Sequence, residues 1–208
     1  MTRKTAALRH LRRVDHNFFR ITTPYHALLP AQLPQKRTRT ALFVSLVSIV
    51  ISQQLSTAAA GTVFARVKTS CKGRLTPLSI LKIRFRTLRN AGLSSAKTKT
   101  LKAIARAIKN GSLDLLALKN IPETEAALSL MSIRGLGPWS VEMFMIFALG
   151  RTDVFSAGDL GLMRAIESLY GLPKNSPRET LLAIAEKWTP YRTYACLLLW
   201  RVRDTKAG

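Results

Sequence analysis

What most restricts the fold of this chain is a spacing. Apolar residues recur every three or four positions throughout, as in Ile104, Ala107 and Ile108 or Leu181, Leu182, Ile184 and Ala185, and no stretch alternates for long. That period lays one apolar stripe along a helix and does not fit a pleated strand, so the chain reads as all-α. Proline and glycine punctuate it at Pro24, Pro30, Pro34, Gly73, Pro77, Gly92, Gly111, Pro122, Gly135 to Pro138, Gly150, Gly171 to Pro177 and Pro190. The stops leave about ten helices on short links, with no internal repeat and no low-complexity linker. A length of 208 residues suits one domain, or two helical lobes around a cleft.

The longest apolar run, Ala41 to Ile51, contains Ser45 and Ser48 and is about half the ~20 residues that a bilayer requires. It is expected to be a core helix. Val141 to Leu149 is apolar except at Glu142 and is expected to be buried all round. The first thirteen residues hold Arg3, Lys4, Arg9, Arg12 and Arg13 and no acid, as in an organelle presequence or a basic first helix. Leu8, Leu11, Val14 and Phe18 keep a helical spacing that fits both.

Charge selects the partner. The chain carries 33 Lys and Arg against 11 Asp and Glu, a net +22, and Asp15 is the sole acid in residues 1 to 110, where 22 of the basic residues lie. Such an excess goes beyond what solubility needs and points to a polyanion. Nucleic acid fits best, because Lys and Arg on phosphates release counterions and make binding strong, salt-sensitive and indifferent to sequence. Membrane surface or ribosome packing is the plainer alternative. Residues 111 to 208 are nearly neutral and are free to house chemistry.

Cys71 and Cys196 are too few for a disulfide framework, a four-cysteine zinc site or an iron-sulfur cluster. His10, His16 and His26 lack the spacing of metal ligands. A reducing compartment, and neither metal nor cofactor, are the expectations.

In Leu130-Met-Ser-Ile-Arg-Gly-Leu-Gly-Pro-Trp-Ser140, one helix is expected to end near Met131 and the next to begin at Pro138. Gly135 and Gly137 can take positive φ and leave their amides uncovered. Together with the positive end of the new helix, they would hold one phosphate through backbone donors alone. A plain corner between two helices explains the same residues.

The turn resembles the helix-hairpin-helix of the DNA glycosylase superfamily, in which a Gly/Pro-rich loop and an essential Asp follow. Here the loop is Arg151-Thr-Asp-Val-Phe-Ser-Ala-Gly158 and Asp159-Leu-Gly-Leu162 stands in that place. Ser48-Ile-Val-Ile-Ser-Gln-Gln-Leu-Ser56 and Trp188-Thr-Pro-Tyr-Arg-Thr-Tyr-Ala-Cys-Leu-Leu-Leu-Trp-Arg201 are similar to the alkylated-base branch, the DNA-3-methyladenine glycosylase II family. The likeness runs from about residue 5 to Arg203, which favours a first helix of the fold over a presequence. It implies one compact glycosylase domain over 1–208, with the hairpin at about 122–149 and no extra β-rich domain.

The resemblance implies a residue-by-residue site. Asp159 would be the catalytic carboxylate, steadying the sugar cation as the N-glycosidic bond breaks and aligning a water. Judged from its position alone, Asp159 is a helix N-cap, and the two roles are compatible. Glu123, Glu125 and Glu179 read as first-turn acids, Glu167 and Glu186 as surface residues, Asp153 as a turn residue and Asp114 as a follower of a Ser112 cap. Trp139 and Trp200 fall on the family's base-pocket positions, where aromatic faces attract a cationic purine, although core packing explains either. Met143 stands in place of the usual Tyr one turn after Trp139, which removes a hydroxyl and an aromatic face and leaves the base range open.

Gln54 falls on the position whose side chain fills the gap left by the extruded nucleotide, with Leu55 beside it; either is the wedge. Gln53 and Gln54 otherwise read as a polar break between helices. Ile133, Arg134, Gly135, Leu136, Gly137 and Ser140 are the implied DNA contacts of the hairpin. Relatives that also cut the strand carry a Lys where Trp139 stands, so a monofunctional enzyme is implied.

The expected activity is excision of alkylated purines such as 3-methyladenine by nucleotide flipping, which initiates base excision repair. The alternatives are a non-catalytic DNA-binding module, or removal of another lesion such as ethenoadenine or hypoxanthine. The expected partner is double-stranded DNA with alkylated bases and not a membrane. The protein is expected to be an intracellular monomer, in the cytoplasm at the nucleoid or in the nucleus.

Overall fold

The computed structural model describes residues 1–206. Among them there is no strand, and twelve α-helices account for most of the chain. The all-α expectation holds. Two helices exceed the expected ten or so because α5 (Pro77–Lys82) and α6 (Phe85–Asn90) are six residues each, too short for a periodic pattern to declare.

The chain divides into two compact units, Gln35–Leu149 and a second made of Met1–Pro34 with the residues from Gly150 onward. In the first, α3 (Arg39–Ser52) and α4 (Thr57–Ser70) are followed by α5, α6 and α7 (Ser95–Lys109), then by α8 (Glu123–Met131) and α9 (Pro138–Phe144). Polar side chains start these helices: Thr38, Ser56, Thr76 and Ser94 each accept a backbone N–H of the first turn. The Ala41–Ile51 run is the core helix α3, with Leu42, Phe43, Leu46, Val47, Val50 and Ile51 buried. No helix among the described residues is long and apolar enough to cross a membrane.

Residues 145–149 continue α9 as a π-helical turn. Val141, Phe144, Ile146 and Leu149 are buried as expected, but Phe147 is 41% exposed. The wider π-turn changes the phase of the side chains and takes Phe147 off the core face.

Basic residues also close helix ends. Lys102 Nζ donates to the carbonyls of Ile80, Leu81 and Ile83 at 3.0, 3.2 and 2.7 Å, where α5 stops. Burial pushes its ammonium below the ordinary lysine range, an effect that nearby Arg106 adds to.

The second unit contains α1 (Arg3–Val14), α2 (His16–Thr22), α10 (Leu160–Tyr170), α11 (Arg178–Glu186) and α12 (Arg192–Lys206). The basic N-terminal stretch is α1, and it buries Ala7 and Leu11 in the core of this unit. Trp188 is fully buried against Phe18, ring centroids 4.6 Å apart. Its indole Nε1 donates to Asp15 at 3.0 Å, and Asp15 also caps α2 through Phe18 N and accepts from the Tyr170 hydroxyl. The single acid of the basic half is thus consumed in joining α2, α10 and the segment after α11.

Candidate nucleic-acid interface and carboxylate site

In the unit Gln35–Leu149, two turns are drawn together. The first lies between α3 and α4. Gln53 ends α3, Gln54 adopts φ +56° and Ser56 starts α4 by accepting Ala59 N. Left-handed backbone is costly for a side chain other than Gly, so the turn is held from outside. Lys97 Nζ donates to Ile51 O at 2.8 Å and Gln53 O at 2.6 Å, the carbonyls left over where α3 ends. Burial depresses the Lys97 ammonium below its usual value. Gln54 is exposed and Leu55 is 39% exposed, whereas Gln53 is half-buried.

The second turn is the hairpin between α8 and α9. The expected helix ends at Met131 and Pro138 are those found. Gly135 takes φ +96°, and a Cβ there would lie 1.9 Å from Thr100 Oγ1 on α7. Of the two glycines free to take positive φ, Gly135 does so and Gly137 does not: its φ is −87° and its ψ 174° as the residue preceding α9. That conformation is open to any residue, and a Cβ at Gly137 would meet nothing within 4 Å. No side chain caps α9.

The remaining hairpin residues separate by burial. Arg134 is exposed, but Ile133, Leu136 and Ser140 are 8%, 4% and 2% exposed, so their side chains belong to the interior and the turn offers a partner its backbone. Ser140 Oγ instead accepts from Gln53 Nε2 at 2.8 Å, and the same nitrogen donates to Gly135 O at 3.2 Å. Sequence reasoning gave Gln53 no part beyond a polar break, and only the fold reveals it. Trp139 is half-buried directly after Pro138, and Met143, one turn on, is buried.

In the other unit, the loop before α10 is fastened to the start of α12. Arg192 grips Asp153 with Nε and Nη2, both at 3.0 Å. The Thr193 hydroxyl accepts Val154 N at 3.0 Å and donates to Arg151 O at 2.8 Å. Asp153 is therefore more than a turn residue: it forms half of a bidentate pair. Beyond this fixed loop, Asp159 caps α10, with Oδ1 accepting Leu162 N at 3.0 Å. The carboxylate is half-buried at a helix N-terminus, where the backbone dipole favours negative charge.

Trp200 and Arg203 lie three residues apart on α12, hence on one face. A Cβ at Gly161 would be 2.4 Å from Arg203 Nη1 and 3.0 Å from Asp159 Oδ1. A guanidinium and the Asp159 carboxylate thus approach one point, and glycine leaves room for both. Neither Gly161 nor Arg203 was legible as a site residue. Trp200 itself is half-buried.

Of the other acids, Glu123, Glu125 and Glu179 are in first turns as expected. Asp114 begins its own turn by accepting Leu116 N and pairs with Arg39. Glu186 is an exposed partner of Arg192. Glu167 corrects its expectation as a surface residue: it is 6% exposed, bound to Arg164 at 2.9 Å and to Ser176 N at 3.0 Å. Among the described residues, no group of three or more His, Cys, Asp or Glu side chains could hold a metal ion.

Known proteins share this architecture. Residues 47–190 match the family described as HhH-GPD superfamily base excision DNA repair protein. The DNA-3-methyladenine glycosylase 1 of Schizosaccharomyces pombe is 33% identical over 204 residues, covering 97% of this chain and 88% of that protein. A solved DNA-3-methyladenine glycosidase from Bacillus halodurans superposes with a TM-score of 0.82 at 33% identity, over 100% of this chain and 93% of that one. A Schizosaccharomyces pombe 3-methyladenine DNA glycosylase solved with abasic DNA gives 0.83 at 31% identity, over 96% and 97%. A longer Bacillus subtilis relative matches at 34% identity over 60% of this chain, which spans 44% of its length.

Proposed function

This chain belongs to the HhH-GPD superfamily of base excision DNA repair proteins, and on that premise we propose that it is a monofunctional DNA glycosylase for alkylated purines such as 3-methyladenine. The observation that carries the reading is Asp159: a half-exposed carboxylate, immobilised as the cap of α10 behind a loop bolted down by Arg192 and Thr193. Support comes from relatives named DNA-3-methyladenine glycosylases that align over nearly the whole chain.

The reaction asks little of an acid. An alkylated purine is cationic, so the bond from C1′ to the base nitrogen breaks with its electron pair moving onto the base, which departs neutral. Positive charge develops on the deoxyribose, and the Asp159 carboxylate stabilises it. Water then bonds to C1′ and gives up a proton, to Asp159 or to solvent, leaving an abasic site. Trp139, with Met143 one turn on, and, in the other unit, Trp200 each offer a face of the kind that suits a cationic purine. Because Trp139 stands where strand-cutting relatives have Lys, no amine is offered there for a Schiff base.

The hairpin holds the backbone. Gly137 has no steric or conformational need within the fold to be glycine, which fits a phosphate approaching the uncapped start of α9. Gln54 and Leu55 project from their turn as candidate wedges. The partner is double-stranded DNA carrying alkylated bases, met inside the cell by a monomer acting as one glycosylase domain.

The test is direct. The purified protein is incubated with N-methylated duplex and the freed bases are separated by chromatography. Release of 3-methyladenine is expected. Absence of any freed base overturns the enzymatic reading and leaves a DNA-binding module, whereas release from ethenoadenine or hypoxanthine duplexes alone reassigns the lesion.

A further inference from the structure

Two turns that would touch opposite features of a duplex, the phosphate backbone and the base stack, are joined here by one side chain. We propose that Gln53 is a positioning residue that couples the hairpin to the wedge turn, so that seating the backbone sets the depth at which Gln54 and Leu55 meet the stack. The inference rests on the glycosylase reading, and its geometry lies wholly within the unit Gln35–Leu149.

The amide of Gln53 is oriented unambiguously. Gly135 O is a carbonyl and only accepts, so the nitrogen at 3.2 Å must be Nε2, and its second proton is directed at Ser140 Oγ at 2.8 Å. These two acceptors bracket the hairpin, one at its left-handed glycine and one in the first turn of α9. The backbone of the same residue is held on the other side, with Gln53 O accepting from Lys97 Nζ at 2.6 Å. Gln53 is therefore fixed at both its main chain and its side chain, and Gln54 follows it directly in strained left-handed backbone.

Both turns also stand on one helix. Lys97 and Thr100 are three apart on α7, hence on one face; the first holds the wedge turn and the second abuts Gly135. Ser94 anchors the start of α7 by accepting Lys97 N at 3.1 Å. A phosphate pulling on the hairpin thus loads Gly135 and Ser140, and through Gln53 the residue next to the wedge. A polar break between helices would require none of these bonds.

Gln53→Glu tests the coupling, since a carboxylate of the same length meets the Gly135 carbonyl with acceptor against acceptor. Ser140→Ala is the milder companion: it removes one bond and leaves Gln53 in place. The probe is a duplex with a tetrahydrofuran abasic analogue and 2-aminopurine in the opposite strand, whose fluorescence reports disturbance of the stack, together with single-turnover release of base from methylated duplex.

We expect Gln53→Glu to bind undamaged duplex within about twofold of wild type, while the fluorescence change and the excision rate both fall about tenfold. Ser140→Ala should fall in between. Where the lesion faces a gap, so that no pair has to be opened, the deficit should shrink to less than about threefold.

If the wild type neither frees base nor alters the fluorescence, it is the glycosylase reading that fails. If the wild type responds and both variants match it, the coupling is wrong. It is equally wrong if the variants lose affinity for undamaged duplex in proportion to activity, as general loosening would produce. Should Gln53→Glu not fold, as shown by the absence of a melting transition, the same comparisons with Ser140→Ala decide.

Discussion

Gly135 sits against Thr100 so closely that a Cβ on the glycine would stand 1.9 Å from the threonine Oγ1. The same glycine has φ +96°, which disfavours any side chain. Sterics and backbone therefore agree, and Gly135→Ala should cost about 2 to 4 kcal/mol of stability, combining left-handed backbone with overpacking. Denaturant unfolding at neutral pH measures it. A loss below about 0.5 kcal/mol, the range of ordinary surface changes, would mean that Thr100 does not seat the hairpin.

Gly137, two residues later, should behave in the opposite way. Its backbone is ordinary and its surroundings open, and as the residue preceding α9 it occupies a position that favours Asp. Gly137→Asp should leave stability unchanged or raise it by a few tenths of a kcal/mol, while weakening duplex binding about tenfold by setting a carboxylate where a phosphate docks. Thermal melting and a binding titration at one salt concentration separate the two effects. Unchanged affinity would remove the hairpin as the anchor.

These two glycines mark what was legible in the sequence and what was not. Pro138 and the paired glycines place the ends of α8 and α9 because such residues punctuate locally. Glycine, however, says only that the backbone is permissive, and so the left-handed conformation open to both is found at one. The six-residue helices α5 and α6 span less than two turns, too few for a period to show. Glu167 reads as exposed when only its own helix is considered, and becomes buried because Ser176 and Asn175 fold back over it from beyond the helix end. Gln53 and its partners Gly135 and Ser140 are 82 and 87 residues apart, and no local pattern carries such a pairing. Asp159 was legible as a cap because Asp, Asn and Ser share that preference, which is also why the cap alone says nothing about catalysis.

That ambiguity becomes an advantage in Asp159→Asn. Asparagine caps as well as aspartate, so the bond to Leu162 N should persist and α10 should stay intact. Only the charge is lost. Base release should then fall by at least about a hundredfold, the scale of removing one group that stabilises transition-state charge, with melting and duplex binding preserved. Single-turnover excision from methylated duplex is the measurement, and a variant that works at the wild-type rate would exclude Asp159 as the catalytic group.

Gly161 offers a subtler probe of the same carboxylate. A methyl there would press on Arg203 Nη1 at 2.4 Å and Asp159 Oδ1 at 3.0 Å. The guanidinium is the far end of a flexible chain and can move, but the carboxylate is tied to Leu162 N. Gly161→Ala replaces a poor helix former by the best one, worth about 0.5 to 1 kcal/mol, which should offset the crowding and leave the melting temperature nearly unchanged. Excision should nevertheless drop about tenfold, because small misplacements of a reacting group are expensive. If activity survives intact, the placement of Asp159 is less demanding than its fixed surroundings suggest.

Glu167 supplies the pH dependence. Its burial works against ionisation, yet the Arg164 guanidinium and the N–H groups of Ser176 and Asn175 outweigh that and hold the carboxyl below the usual glutamate range. A folded-state value below the unfolded one means that the unfolded chain takes up the proton first as pH falls. The contribution is therefore complete at pH values above the unfolded glutamate pKa of about 4.3, and is lost as pH drops through that value towards the lower folded one. Glu167→Gln cannot titrate, so it should melt earlier than wild type at pH 7 and approach it as pH falls through the range between the unfolded and the lower folded value. Paired melting curves across that interval check the sign: a gap that stays constant, or widens on acidification, would show that the ion pair with Arg164 does not stabilise the fold.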